Sequence, residues 1–418
     1  MAAGRGDGFY GRSMTRRSQD VLSLASFVVL GVPDGMIGTA WPSMRQSLDA
    51  PIGDLGLILL AATAGAAVVS AFVGALIHRL GVAALLAVSG CCGAVAAAGF
   101  TLAPGLWLVI GAAILGGAGA GMLDGGLNTA VSLAGRQRLL NLLHGFYGVG
   151  AALGPLIVTA AILTRSWRSA YAVLFAADIA LAILWLLHRR GDPSRPARAA
   201  EAAAGQPDPA DGWSQRSILL AAGGIAVFFI YTGLEVGAGQ WEASFSRGHL
   251  HLTTTETGLA VFGYWSALTA VRIGLALPQH PPPPRSVVRW GSILAVVATA
   301  VIWVQPGAAA TVASFAVLGG ALAGVFPALV ALTPERIGPQ QAQRVIGWQI
   351  GAAAVGGAGI SAIIGWLITA AGLAVLGPAI TVLALLLVAA ELMLAWLAAG
   401  PPRQAPEGQR TGPFRSHG

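Results

Sequence analysis

The sequence has little charge and no lysine. Charged residues occupy only 10% of the 418 positions, and all 24 basic residues are arginines. A soluble globular chain carries roughly 25% charge. Here 56% of the residues are hydrophobic and the mean hydropathy is +0.73. No aqueous fold can bury that much apolar surface, so the composition excludes a soluble protein and predicts an integral membrane protein.

Further absences narrow the class of membrane protein. The only cysteines, Cys91 and Cys92, are adjacent in an apolar run, so they can neither cross-link a loop nor match a metal-ligand spacing. The apolar runs show no period-2 alternation, which excludes an outer-membrane barrel. No phosphate-binding loop, metalloprotease motif or nucleophile elbow is present. Enzymatic activity, a cofactor and a bound metal are therefore not expected, nor is transport driven by ATP bound to this chain.

Apolar runs long enough to cross a bilayer recur along the chain. A transmembrane helix needs about 20 mostly apolar residues, and twelve such runs lie between residues 21 and 398. The sequence predicts an all-α integral membrane fold of twelve transmembrane helices. The predicted spans, numbered 1 to 12, are 21–45, 55–77, 82–103, 106–134, 139–163, 168–188, 216–245, 256–277, 287–304, 308–333, 343–370 and 374–398.

The predicted helices fall into two halves of six. When the sequence is shifted by 203 residues, glycines and alanines of spans 4 and 5 align with those of spans 10 and 11. Such a match is expected of a parallel six-helix repeat. Thr253 and Glu256 predict a capping box before span 8. The sequence does not decide whether Met1 or Met14 is the translation start. The predicted parts are an N-terminal tail (1–20), a first bundle (21–188), a linker (189–215), a second bundle (216–398) and a C-terminal tail (399–418).

The arginines are distributed unevenly across the predicted membrane. Nineteen lie in the tails and in loops on one side, and Arg272 lies within span 8. Positive loops mark the cytoplasmic side, so both termini and the linker are expected in the cytoplasm and the protein in the cytoplasmic membrane. The expected partner of the basic residues is the lipid bilayer, not nucleic acid. The four arginines on the other side are Arg45, Arg165, Arg168 and Arg247.

This organisation resembles the major facilitator superfamily, whose members have twelve spans in two halves and are usually monomers. The loop between spans 2 and 3, residues 74–81, reads Gly-Ala-Leu-Ile-His-Arg-Leu-Gly and is similar to the gating motif of that superfamily. The resemblance implies a gating role for His78 and Arg79. His78 stands where the family has an aspartate, and the following basic residues are missing, so the family's charge-relay gate is altered here.

Within that superfamily the chain is most similar to the fucose permease group of sugar and proton symporters. This group has essential carboxylates in spans 1 and 4, which implies roles for Asp34 and Asp124. Asp124 stands where the group typically has the longer glutamate. The resemblance implies that Asp124 exchanges the proton and that Asp34 serves substrate binding or coupling. The similar segments are 33–35 (Pro-Asp-Gly), 121–128, 139–148, 233–237, 332–334 and 347–349.

Carboxylates within the spans are functional candidates, because placing a charge at the bilayer centre costs about 2.5 to 3.5 kcal/mol on insertion scales. Burial disfavours the charged form of a carboxylate and so favours proton uptake. Asp178 and Glu391 belong to spans 6 and 12, which the family architecture places outside the central cavity. The carboxylates expected to face that cavity, from spans 1, 4 and 7, are Asp34, Asp124, Glu235 and Glu242. Glu235 and Glu242 are candidates for substrate binding.

Other polar side chains are expected near these carboxylates. His144 is a candidate proton relay because histidine titrates near neutrality, although a histidine near a helix end is equally often a structural hydrogen bonder. Aromatic and amide side chains suit a sugar ring, although tryptophan is also enriched at membrane interfaces. The further candidates for substrate binding are Asn128, Asn141, Tyr147, Trp241, Trp348 and Gln349.

The sequence favours a proton-coupled carrier that imports a sugar or similar small polar solute by alternating access. An exporter of drugs or amphipathic metabolites by proton antiport is the alternative, since the same carboxylates serve both directions. A membrane sensor or scaffold without transport activity is a third hypothesis. The identity of the solute, the direction of transport, the choice between proton and sodium and the oligomeric state stay open.

Overall fold

The computed structural model describes residues 16–189, 213–278 and 281–399. Within these residues twelve helices are long and apolar enough to cross a membrane, which confirms the predicted all-α architecture. The helices are α1 (Arg16–Ser47), α2 (Leu55–Ser70, continued by Val73–Leu80), α3 (Val82–Leu102), α4 (Leu106–Leu133), α5 (Gln137–Thr164), α6 (Trp167–Arg189), α7 (Gln215–Gly248), α8 (Thr254–Ala276), α9 (Pro284–Val304), α10 (Ala308–Leu322, continued by Val325–Ile337), α11 (Pro339–Ala371) and α12 (Leu376–Ala399).

Two spans that the sequence predicts as continuous helices are broken. In α2 the amide of Phe72 donates to the carbonyl of Val69 at 2.9 Å, and in α10 the amide of Ala323 donates to the carbonyl of Gly320 at 3.3 Å. Both bonds reach back three residues and so tighten the helix to a 3₁₀ turn. Neither break interrupts the apolar composition, so hydrophobicity alone did not reveal it.

Two helices begin at residues that favour a helix start. Thr253 and Glu256 form the predicted capping box: the amide of Thr253 donates to the Glu256 carboxylate at 2.8 Å and the amide of Glu256 donates to Oγ1 of Thr253 at 3.2 Å. Helix α9 begins at Pro284, where proline's missing amide costs no helical bond. Residues 190–212 of the predicted linker lie outside the described residues, so the domain boundaries stay a prediction.

The helices pack in two groups. Helices α1–α6 contact mainly one another, as do α7–α12, and the groups meet through the pairs α1–α7, α2–α11 and α5–α8. Glycines permit the closest approach within the first group. At Gly35 of α1 a Cβ atom would collide with the backbone carbonyl of Ala151 on α5. The close packing of α1 against α5 therefore depends on the missing side chain.

The two ends of the molecule differ. The helix ends that carry the chain termini define the termini end, and the opposite end is called the far end. At the far end Gly56 of α2 packs against Ala362 of α11, and Gly53 packs against Thr369. Towards the termini end, the side-chain positions of Gly74 and Gly351 have no neighbour within 4 Å. Helices α2 and α11 are therefore in contact at the far end, whereas the positions of Gly74 and Gly351 face open space.

Candidate functional site

Asp34 lies in α1 where the two groups of helices meet. The hydroxyl of Tyr147 on α5 donates a hydrogen bond to the Asp34 carboxylate. From the other group, Nε2 of Gln240 on α7 donates to the backbone carbonyl of Asp34 at 2.9 Å. Asp34 is therefore bonded through its side chain within the first group and through its backbone to the second. Any movement of α7 relative to α1 acts directly on this residue.

Asp124 and Asn128 form a second polar unit on α4. The Asn128 amide donates to the Asp124 carboxylate at 2.9 Å, one helical turn away, while the buried Oδ1 atom of Asn128 has no partner in the described part of the chain. His144 on α5 interacts electrostatically with Asp124 and also with Arg272 on α8. A carboxylate and an imidazole thus lie near each other, both able to hold a proton.

Arg272 and Glu235 form the polar unit of the second group. Their charged groups are 3.6 Å apart, with the side chains 26% and 14% exposed. Nε of Arg272 donates to the carbonyl of Ala323 at the break in α10 at 3.0 Å, and the hydroxyl of Tyr231 donates to the Glu235 carboxylate. Arg272 also interacts electrostatically with Tyr147 across the interface, so the two units face each other.

Arg272 is a functional candidate that the sequence reasoning did not select. The signal was available, since a cation within a span is costly and is a functional candidate by default. The prediction considered only carboxylates and therefore did not include Arg272. Its neighbour Thr269, one turn earlier on α8, packs against Gly148 of α5, so the α5–α8 contact fixes Arg272 opposite the first group.

A cavity of about 180 Å³ lies within the first group, enclosed by α1, α2, α3, α4 and α6. Asp34 and Asp178 both line it. Tyr171 also lines it; its side chain is 3% exposed and its hydroxyl has no partner among the described residues. The Asp178 carboxylate lies directly over Gly93 of α3. Asp178 is thus outside the interface, as the sequence led us to expect, but it lines the same cavity as Asp34.

Three of the residues predicted to bind substrate lie elsewhere. The indole of Trp241 is fully buried and donates to the carbonyl of Ser361 at 2.9 Å, which joins α7 to α11. Gln349 is 3% exposed and accepts a bond from the Thr333 hydroxyl at 2.9 Å. Trp348 is 48% exposed. Their role in substrate binding stays a prediction.

The remaining predicted site residues have varied surroundings. Glu242 on α7 is fully buried, and neither carboxylate oxygen has a partner among the described residues. Asn141 near the start of α5 is exposed. His78 and Arg79, the predicted gating residues, are exposed in the last turn of the second segment of α2. Their roles stay predictions.

Comparison with known proteins agrees with this architecture. The structure is similar to that of the human organic anion transporter MFSD10 (TETRAN), with a TM-score of 0.63 and 16% identity over 90% of this chain and 99% of that one. The E. coli fucose:proton symporter FucP gives a TM-score of 0.60 and 16% identity over 92% and 99% of the two chains. FucP in the outward conformation gives 0.59, with the same identity and coverage. At this identity the likeness concerns the fold.

Sequence comparison gives the family. No curated protein sequence matches the chain. The model of the Major Facilitator Superfamily matches residues 23–277, more than half of the 418 residues. The match and the shared twelve-helix fold confirm the resemblance seen in the sequence, and the chain belongs to the Major Facilitator Superfamily of membrane transporters.

Proposed function

We propose that the protein is a secondary active transporter that couples proton movement to the uptake of a sugar or similar small polar solute. One observation carries the proposal: polar side chains of both groups, Asp34 with Tyr147 and Glu235 with Arg272, face each other at the interface. A solute bound between two groups that rock about it can be reached from each side in turn. The contact between α2 and α11 at the far end fits one state of this cycle.

The proton-exchanging group in this proposal is Asp124, with His144 as the relay and Asp34 as the substrate or coupling residue. Among the described residues, one side chain, that of Asn128, donates a bond to Asp124, and an imidazole is nearby, so a proton can reach Asp124 without breaking a larger network. Glu242 is a further proton carrier. Burying an unpaired charge costs several kcal/mol, and no partner of Glu242 is found in the described residues.

Arg272 favours a second candidate substrate, a small organic acid. Its distance of 3.6 Å to Glu235 is longer than the 2.8 Å of the Arg336–Glu391 pair, so the guanidinium keeps donors for a carboxylate of the solute. The human protein of the same fold is an organic anion transporter. Proton antiport in the export direction also remains an alternative, because the same carboxylates can exchange protons while the solute moves outwards.

The proposed setting is the cytoplasmic membrane, with both termini on the cytoplasmic side and the protein acting as a monomer. The arginine distribution supports this orientation, since positive loops face the cytoplasm. In that orientation the far end faces outwards, and the described conformation is closed to the outside.

Transport by proteoliposomes tests the proposal. A thermal-shift panel of sugars and carboxylic acids selects solutes first, since a ligand at 100 times its Kd stabilises the folded state by about 2.7 kcal/mol. We expect a selected sugar to accumulate only when a pH gradient is imposed. Accumulation of a carboxylic acid that is lost in Arg272→Gln would instead establish the second candidate. If no solute of the panel moves in either direction in response to the gradient, the proposal is wrong.

A further inference from the structure

A second cavity, of about 270 Å³, lies at the termini end between α9, α10 and α12. It extends from the first turn of α9 at Arg285 to Ala399 at the end of α12. None of its lining residues belongs to the candidate transport site. Its walls combine arginines with an apolar surface formed by Val288, Leu332, Val388, Leu392 and Ala395.

The lining of this cavity is basic. Three arginines line it, against the single carboxylate of Glu391. Arg336 is committed to Glu391 through two bonds of 2.8 and 3.3 Å, and both side chains are only 11% exposed. Arg285 lies 3.3 Å from the exposed Glu335. Arg289 is exposed and has no acidic partner among the described residues, so the cavity retains a positive charge for a ligand.

Ser292 supplies an independent observation that points to a ligand site. Its side chain is 3% exposed and lines the cavity, and its hydroxyl has no partner in the part of the chain that the structure describes. A buried polar group without a bond costs about 1 to 3 kcal/mol. Ser292 follows Arg289 by three residues on α9, so both side chains lie on one face of the helix. An oxyanion between them would accept bonds from the guanidinium and the hydroxyl.

Two exposed tryptophans place the cavity at the level of the lipid headgroups. Trp290 beside the cavity on α9 is 64% exposed, and Trp396 in the last turn of α12 is 75% exposed. Indole rings are enriched where the hydrocarbon meets the headgroups. The arginines therefore lie at headgroup depth, while the apolar wall continues towards the hydrocarbon.

We propose that this cavity binds the headgroup of an anionic phospholipid. The phosphate contacts Arg289 and Ser292, and the first part of an acyl chain lies along Val288 and Leu392. Basic pockets between transmembrane helices on the cytoplasmic side suit anionic headgroups, and each arginine near the surface contributes about 1 kcal/mol. The inference does not depend on the transported solute, so it stands or falls separately from the proposed function.

Native mass spectrometry of the purified full chain tests the site. Phosphatidylglycerol and phosphatidylethanolamine with identical acyl chains are titrated separately. We expect one phosphatidylglycerol to bind more tightly than the zwitterionic lipid, and Arg289→Gln to weaken it about fivefold. Ala395→Phe, which fills the cavity and keeps every charge, should weaken it too. Arg17→Gln, an exposed arginine at the same end, should leave it unchanged.

Three outcomes overturn the proposal. In the first, the two lipids bind equally. In the second, Arg289→Gln and Ala395→Phe are folded by size exclusion and bind phosphatidylglycerol as the wild type does. In the third, glycerol 3-phosphate displaces the lipid at equal concentration. The third result would mean that the cavity binds a free phosphate ester, because the acyl chain would then add nothing.

Discussion

Three carboxylates within the helices of this protein have different surroundings. Asp34 accepts a bond from a neutral hydroxyl, Glu391 is paired with an arginine, and Glu242 has no partner among the described residues. An ion pair holds its carboxylate charged, whereas a carboxylate with neutral partners or none can gain a proton without breaking a salt bridge. Glu391 therefore suits a structural role, whereas Asp34 suits the substrate or coupling role proposed above and Glu242 suits that of a further proton carrier.

Tyr147→Phe isolates the hydroxyl that bonds Asp34. The ring stays, but the partly buried carboxylate loses its donor, so we expect a loss of about 1 to 3 kcal/mol in the free energy of unfolding. Tyr171→Phe is the matched control, because its hydroxyl has no partner in the described structure, and its effect should stay within about 0.5 kcal/mol. Unfolding in detergent measures both variants. Equal effects would mean that the Tyr147 bond contributes nothing.

At the element scale, the packing of α1 against α5 depends on Gly35. Gly35→Ala places a methyl group against the Ala151 carbonyl, and overpacking of this kind costs about 1 to 3 kcal/mol. Gly111→Ala on α4 adds the same methyl group where nothing lies within 4 Å, so it should be neutral or stabilise by up to about 1 kcal/mol. Thermal unfolding compares the two. A Gly35→Ala protein as stable as Gly111→Ala would contradict the close contact.

Helices α10 and α12 are joined by the buried pair Arg336–Glu391. Glu391→Gln leaves a buried guanidinium unpaired, and we expect a loss of about 3 to 5 kcal/mol. Glu335→Gln breaks the pair between Glu335, 52% exposed, and Arg285, 78% exposed. This change should cost at most about 1 kcal/mol. Both variants are measured by unfolding in the same detergent. Similar losses would show that burial does not set the strength of these pairs.

The sequence predicted some elements and residues better than others, for physical reasons. The twelve helices follow from composition, because a bilayer requires about 20 apolar residues per crossing. The capping box depends on two neighbouring residues and was also predicted. The breaks in α2 and α10 occur without a change in hydrophobicity. The pairings of Tyr147 with Asp34 and of Arg272 with Glu235 join different helices, and a single sequence does not show which helix faces meet.

At the scale of the whole molecule, the proposed function requires a cycle in which the far end opens. In a variant without Cys91 and Cys92, Gly56→Cys with Ala362→Cys brings two thiols together at the far end. The Cβ atoms would lie 2.8 Å apart without relaxation, so the helices must move apart by about 1 Å to reach disulfide geometry. We expect oxidation to cross-link them and stop transport, and reduction to restore it. A separate variant with Gly74→Cys and Gly351→Cys is the control. Both positions have open space around them, so this pair should not cross-link. Undiminished transport by the cross-linked far-end pair would rule out the cycle.

The central claim, that Asp124 exchanges the proton, is tested most directly by Asp124→Asn in proteoliposomes. Asp49→Asn is the matched control: Asp49 is exposed, with a φ of 50° that asparagine also tolerates. We predict that Asp124→Asn still exchanges labelled for unlabelled solute across the membrane but no longer accumulates solute when a pH gradient is imposed, while Asp49→Asn does both. Gradient-driven accumulation by Asp124→Asn at the wild-type level would contradict the account.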